Sequence, residues 1–185
     1  MKITSRRYVV ITLVIFVSII IDHITKFFAK QYLRNSPPQI YFNDFFRFQY
    51  AENTGAMLGL GSTLPETTRF WIFTVAVGIL LLALLIYLYR GMGHLTSLQS
   101  LGLSLIAGGG LSNFVDRLIN KGRVVDFMNM GIGDTLRTGI FNVADMLIML
   151  GMAIVLVFGI GKPHKKQNEH LTNESHPTGG MYGKD

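Results

Sequence analysis

Asp126 and Asp145 are the residues of this sequence whose type and setting best suit chemistry. Asp126 stands in the string Val-Val-Asp-Phe at 124–127 and Asp145 in Phe-Asn-Val-Ala-Asp at 141–145, just before and just inside the last apolar run. An aspartate at the centre of a membrane helix costs about 3 kcal/mol on insertion scales, so an acid kept at membrane depth points to function. Two carboxylates held at about 3 Å cannot both ionise and share one proton. The ionised member takes a proton from water as the water attacks a carbonyl. The protonated member donates to the carbonyl oxygen or to the leaving nitrogen. The acidities belong to the pair, so base and acid are not assigned singly.

Other polar residues accompany the acids. Asn142 and Asp145 are i and i+3 and share one helix face. The same spacing makes Asn142 a helix N-cap with an acid at the third position, a purely structural reading that stands beside the chemical one. Asn113, Asp116 and Arg117 end another apolar run. They read either as a cluster that terminates a membrane helix or as a polar wall that orients the acids and contacts substrate carbonyls. Asp22 and Lys26, at i and i+4, read as a snorkelling ion pair at the membrane edge rather than as direct chemistry. The string Gly-Ile-Gly-Asp at 131–134 matches the G-x-G-D of another class of intramembrane aspartyl protease. It lies beside Thr135 and Arg137 in a polar stretch and reads as a glycine turn. Gly108, Gly109 and Gly110 read as a site of close helix packing.

The chain has no cysteine, and no pair of its five histidines has the H-E-x-x-H spacing of a helical zinc site. No metal and no other cofactor is expected. Of the 185 residues 49% are hydrophobic and only 15% charged, and mean hydropathy is +0.37. Soluble domains run nearer 25% charged, so this is the composition of a membrane protein. The net charge of +6 suits orientation and anionic headgroups, and nothing in it suggests a nucleic-acid partner.

The elements that must carry these residues follow from the apolar runs. A membrane crossing takes about 20 helical residues. Helices are predicted at 8–28, 70–89, 95–115 and 139–161, in one domain over 1–161. The first run also fits a signal-peptide core, but no A-x-A cleavage pattern follows and helical character continues. Four crossings put both termini on one side, and the basic start makes that side the cytoplasm. Residues 29–69 and 116–138 then lie outside. The aromatic stretch at 40–50 suits β-structure, with a further short strand at 123–128. The polar tail, 162–185, is expected to be disordered.

Five strings in order resemble those of the bacterial lipoprotein signal peptidases, signal peptidase II. They are Asp22-His-Ile-Thr-Lys26, Asn53-Thr-Gly-Ala56, Ser112-Asn-Phe-Val-Asp-Arg117, the Asp126 string and the Asp145 string. The likeness runs over about 8–160. It implies a fold of four transmembrane helices with a small extracytoplasmic β-cradle. It implies an aspartic endopeptidase that removes the signal peptide from diacylglyceryl-modified prolipoproteins, cutting just before the lipidated cysteine. Asp126 and Asp145 are then the catalytic pair, with Asn53, Gly55, Asn113, Asp116, Arg117, Asn142, Asp22 and Lys26 in supporting or substrate-binding roles. Inhibition by globomycin, contact with membrane lipid, a monomeric state and a bacterial cytoplasmic-membrane location with the active site near the outer face are also implied. Ser112 stands where glycine is usual, His23 where glutamine is usual, and Met57-Leu58 where a small residue and an aromatic are common. These departures bear on the substrate groove. The rival readings are a transporter component using the acids as a proton relay, which would spread them across the membrane, and a membrane interaction protein, which would not need them.

Overall fold

The computed structural model describes residues 3–56, 60–91, 95–133 and 135–159. The expectations for the tail, for Met57 and Leu58 and for Asp134 lie outside the described residues. Four helices, α1 (Ile3–Tyr32), α2 (Glu66–Arg90), α3 (Ser97–Ile119) and α4 (Val143–Phe158), stand with one four-stranded antiparallel sheet. The strands β1 (Gln39–Tyr41), β2 (Phe46–Asn53), β3 (Val124–Ile132) and β4 (Leu136–Arg137) lie in that order across the sheet.

Two helical stretches, Arg6–Tyr32 and Glu66–Arg90, are long and apolar enough to cross a membrane, and Val143–Phe158 is shorter and apolar. At 1.5 Å per residue α1 is roughly 45 Å long, well beyond the roughly 30 Å of a hydrocarbon core. Its C-terminal end therefore projects far enough to pack on the sheet. Ala29 and Leu33 are buried there with Phe127 and Met128 of β3. A second centre, Ile11, Ile15, Leu88 and Ala107, joins α1, α2 and α3 lower in the bundle.

The helix ends differ from the apolar runs, for identifiable reasons. α3 continues past the predicted end at 115 to Ile119, because Asp116 and Arg117 are buried and bonded instead of ending the helix in water. α2 begins four residues before the predicted 70, and its first apolar turns, Phe70–Ala76, are π-helical. The fourth helix starts at Val143 and not at 139. Phe141 is held in extended form by a bridge to Met128 of β3, and Asn142, at φ −129° and ψ −178°, caps the helix that follows. The predicted strand at 123–128 extends to Ile132.

The glycines of α3 set how closely its neighbours approach. A Cβ on Gly109 would lie 2.5 Å from the carbonyl oxygen of Ala144, and one on Gly108 would lie 2.7 Å from the Ser18 Cβ. Any side chain at 109 would push away the first turn of α4, the turn that carries Asp145.

Candidate active site

Asp126 sits in β3, opposite Ala51 of β2, and has no exposed surface. Asp145 sits in the first turn of α4 and is buried. Strand and helix are linked through Asn142, which serves both elements. Its side-chain oxygen accepts from the Asp145 backbone N–H at 2.9 Å, the capping bond, while its Nδ2 donates to Asp126 Oδ1 at 2.6 Å. Asp145 Oδ2 returns to the Asn142 backbone N–H at 3.2 Å. Cap and site are thus one device.

Each carboxylate is held by a further amide. Asn53 Nδ2 donates to Asp126 Oδ2 at 2.9 Å, and Asn113 Nδ2 donates to Asp145 Oδ1 at 2.9 Å. The orientation of each amide is fixed from behind. Gly55 N–H donates to Asn53 Oδ1 at 2.8 Å, so the NH2 group must face Asp126. Lys26 Nζ donates to Asn113 Oδ1 at 2.8 Å, and an ammonium can only donate, so the Asn113 NH2 must face Asp145. Both acids line one cavity of about 120 Å3, bordered also by Asn53, Phe73, Asn113 and Arg117. A water needs only roughly 10–15 Å3, so the cavity has room for one between the acids and a carbonyl. Burial, and then the charge of Asp145, push the Asp126 carboxyl up to about 7, against the opposing pull of the Asn53 and Asn142 amides.

A second buried cluster lies behind the first. Lys26 meets Asp22 at 2.5 Å and Asp116 at 2.9 Å, so with Asn113 all three of its protons have partners. Asp22 is fully buried and Lys26 is 3% exposed. The snorkelling reading of this pair is therefore incorrect. A snorkelling lysine reaches for water, whereas this one is drawn inward by Asp116, a residue 90 positions away in the chain. Asp22 also accepts the Ala144 N–H at 2.8 Å, satisfying an orphan donor at the positive end of α4. Asp116 accepts the Val125 N–H at 3.2 Å and so fixes β3 next to Asp126. Its side-chain bonds run to Lys26, to the β3 backbone and to Asn120, whose Nδ2 donates at 3.3 Å. Arg117 donates to the Gly55 carbonyl at 2.7 Å and to the Asn113 carbonyl at 3.3 Å, tying the loop after β2 to α3.

All ten residues singled out in the sequence thus meet in one continuous network. Ser112, noted only as a departure, belongs to it as well. It is fully buried, donates to Asp22 Oδ2 at 2.7 Å, and lies 2.9 Å from His23 Nδ1. Two departures from the usual pattern are therefore direct neighbours. No periodicity shows this, because α1 and α3 meet at that point only in three dimensions. Gly131 sits near the end of β3 opposite Arg137, five residues along the strand from Asp126, and Gly133, at φ +62°, turns the chain, so the G-x-G stretch lies at the far end of the strand from the acids.

Residues 14–160 match the model of the family described as Signal peptidase (SPase) II. The chain is 32% identical over 162 residues to the lipoprotein signal peptidase of Borreliella burgdorferi strain ZS7, covering 85% of this chain and 94% of that one. It is 33% identical over 146 residues to that of Clostridium tetani, covering 79% and 89%. A solved structure described as a bacterial membrane enzyme, determined by the in meso method at 2.3 Å, is similar with a TM-score of 0.67 at 25% identity, covering 80% of this chain and 86% of that one. Two buried carboxylates lining one cavity, within a helical frame shared with such an enzyme, agree with that match, and the chain belongs to the signal peptidase II family of aspartic peptidases.

Proposed function

We propose that this membrane enzyme cuts the signal peptide from diacylglyceryl-modified prolipoproteins just before the lipidated cysteine, with water activated between Asp126 and Asp145. One observation carries the reading: two buried carboxylates from different elements line one cavity, each held by an asparagine amide. The ionised acid takes a proton from water, and the oxygen adds to the scissile carbonyl. The protonated acid supplies its proton to the carbonyl oxygen, and collapse of the tetrahedral species returns a proton to the departing amine. Asn53, Asn113 and Asn142 hold the carboxylates in register. Gly55 holds Asn53, Lys26 and Arg117 hold Asn113, and Asp22 and Asp116 hold Lys26. No step calls for a metal or a cofactor.

All four helices cross the membrane in this reading, both termini face the cytoplasm, and the sheet forms a cradle on the outer side. The enzyme acts as a monomer among membrane lipids and is inhibited by globomycin. The relative named lipoprotein signal peptidase and the apolar helices support this placement. The test is cleavage of a synthetic diacylglyceryl prolipopeptide in bilayers, with products read by mass. The expected new N-terminus is the lipidated cysteine, and globomycin should suppress it. Cleavage elsewhere, or of unmodified peptide equally well, contradicts the substrate assignment. Because the chain lacks cysteine, Thr54→Cys can be probed with an impermeant thiol reagent. Labelling only from the cytoplasmic side overturns the orientation.

A further inference from the structure

A cavity of about 400 Å3, larger than the one between the acids, opens where the start of α2, the end of α3 and the turn before β3 meet. Arg69, Arg117, Lys121 and Arg123 line it, against a single acid, Glu66. Among the described residues the compensation is thin. Arg123 pairs with Glu52 at 2.7 Å. Arg69 donates to neutral oxygens, the Ser62 carbonyl at 2.6 Å and Thr54 Oγ1 at 3.4 Å. Arg117 donates to the Gly55 and Asn113 carbonyls, and its Nε is buried without a partner. Lys121 is exposed and has no ion pair among the described residues. With Glu52 paired to Arg123, Glu66 in the lining, and Asp116, Asp126 and Asp145 acting on Arg117, the surplus of positive charge among the described residues is small and centred on Arg69 and Lys121.

Its depth selects the anion. The uncharged run of α2 begins at Phe70, directly after Arg69, and that of α3 stops at Val115, directly before Asp116 and Arg117. The cavity lies at both boundaries, which is headgroup level for a helix that crosses a bilayer. Phe70 and Leu118 line it, and with Trp71 and Ile119 beside them they present exposed apolar surface next to the cations. Cations beside an aromatic and aliphatic rim match a molecule with a negative head and apolar chains.

We infer that this cavity binds an anionic phospholipid, its phosphate among Arg69, Lys121 and Arg117 and its acyl chains along Phe70 and Leu118. The inference rests on the membrane placement; Arg117 also borders the cavity of the acids, so the test variants are made at Arg69 and Lys121, which do not.

Trp71 is the single tryptophan of the chain and sits beside the cavity, its ring 5.9 Å from that of Phe70. Its fluorescence reports on the site without reference to activity. The full-length protein is placed in bilayers of phosphatidylcholine containing increasing fractions of phosphatidylglycerol with brominated chains, and in parallel of brominated phosphatidylcholine. Half-maximal quenching is expected at about tenfold lower fraction for the anionic lipid. Lys121→Gln and Arg69→Gln should each reduce that preference by about fivefold, as expected for one cation near an anionic surface. Helical circular dichroism verifies the fold. Lys121→Gln alone, at an exposed position, suffices for the comparison if the second variant does not fold. Coincident quenching curves for the two lipids, or a preference unchanged in Lys121→Gln, overturn the proposal. Loss of the preference in millimolar inorganic phosphate reassigns the cavity to a free anion, and loss on adding an acidic peptide reassigns it to a peptide. Either result also overturns the lipid.

Discussion

Asp22 and Asp116 meet a cation, Lys26, at 2.5 and 2.9 Å, whereas Asp126 and Asp145 meet amides. The four acids are equally buried and within one network. What differs is the partner. Removing either member of a buried carboxylate–ammonium pair leaves an uncompensated ion. A carboxylate held by asparagine amides is oriented by neutral donors, with its cations, Lys26 and Arg117, acting from a distance, so gaining or losing a proton does not dismantle its hydrogen-bonded surroundings. Arg117 borders the same cavity, but its described bonds run to carbonyl oxygens and not to the acids. One cluster is suited to hold position and the other to exchange protons. The contrast explains why a sequence with so few acids places four of them together.

The largest effect should come from the amide-held pair. Asp126→Asn and Asp145→Asn should each lower turnover by about 10² to 10⁴ while leaving the protein folded. The double variant should be little worse than either, since the two act as a unit. Substantial turnover by either folded single variant breaks the comparison. Removing the cation should act first on stability, and on turnover only through the Asn113 amide that Lys26 orients. Lys26→Met leaves Asp22 and Asp116 facing each other without compensation and should cost about 3–5 kcal/mol, seen as an earlier thermal transition in detergent. Adding Asp22→Asn and Asp116→Asn to Lys26→Met should recover much of that loss. If Lys26→Met melts as the parent does, the cluster is not holding the fold.

A third effect is on pH dependence. The folded acidity of Asp126 lies near 7, above the ordinary value of 3.8. Between these values the folded state keeps a proton that the unfolded chain has lost, so stability from this group falls as pH rises through that window. The full shift corresponds to about 4 kcal/mol. Melting curves of the parent should therefore slope downward from about pH 4 to 7 more steeply than those of Asp126→Asn. Parallel curves would remove Asp126 as the proton holder. The smallest effect is none at all: chelators should leave cleavage unchanged, and loss in EDTA restored by zinc would replace the two-carboxylate chemistry.

Much of this arrangement is legible in the sequence, because short-range spacing carries it. The cap spacing of Asn142 and Asp145, the aromatic run that becomes β1 and β2, and the triple glycine of α3 are local features. The i,i+4 spacing of Lys26 shows its pairing with Asp22 and not the third member, Asp116. Hydropathy does not register the bridge from Phe141 to Met128, so the apolar run begins four residues before α4 does. The contact of Asn53 with Asp126 spans 73 positions and arises from the pairing of β2 with β3, which no local pattern encodes. The basic cavity is invisible to local pattern for the same reason, since Arg69 and Lys121 come from separate segments.

The most direct test of the difference between the two clusters is infrared spectroscopy of the protein in detergent, following the C=O stretch of protonated carboxyl groups as pH is raised. At pH 6 the parent should show a protonated buried carboxyl that disappears through about pH 7 and is missing in the double variant Asp126→Asn with Asp145→Asn, while Asp22→Asn and Asp116→Asn retain it. Absence of that band in the parent at pH 6, or its persistence in the double variant, would contradict the assignment of the proton to the amide-held pair.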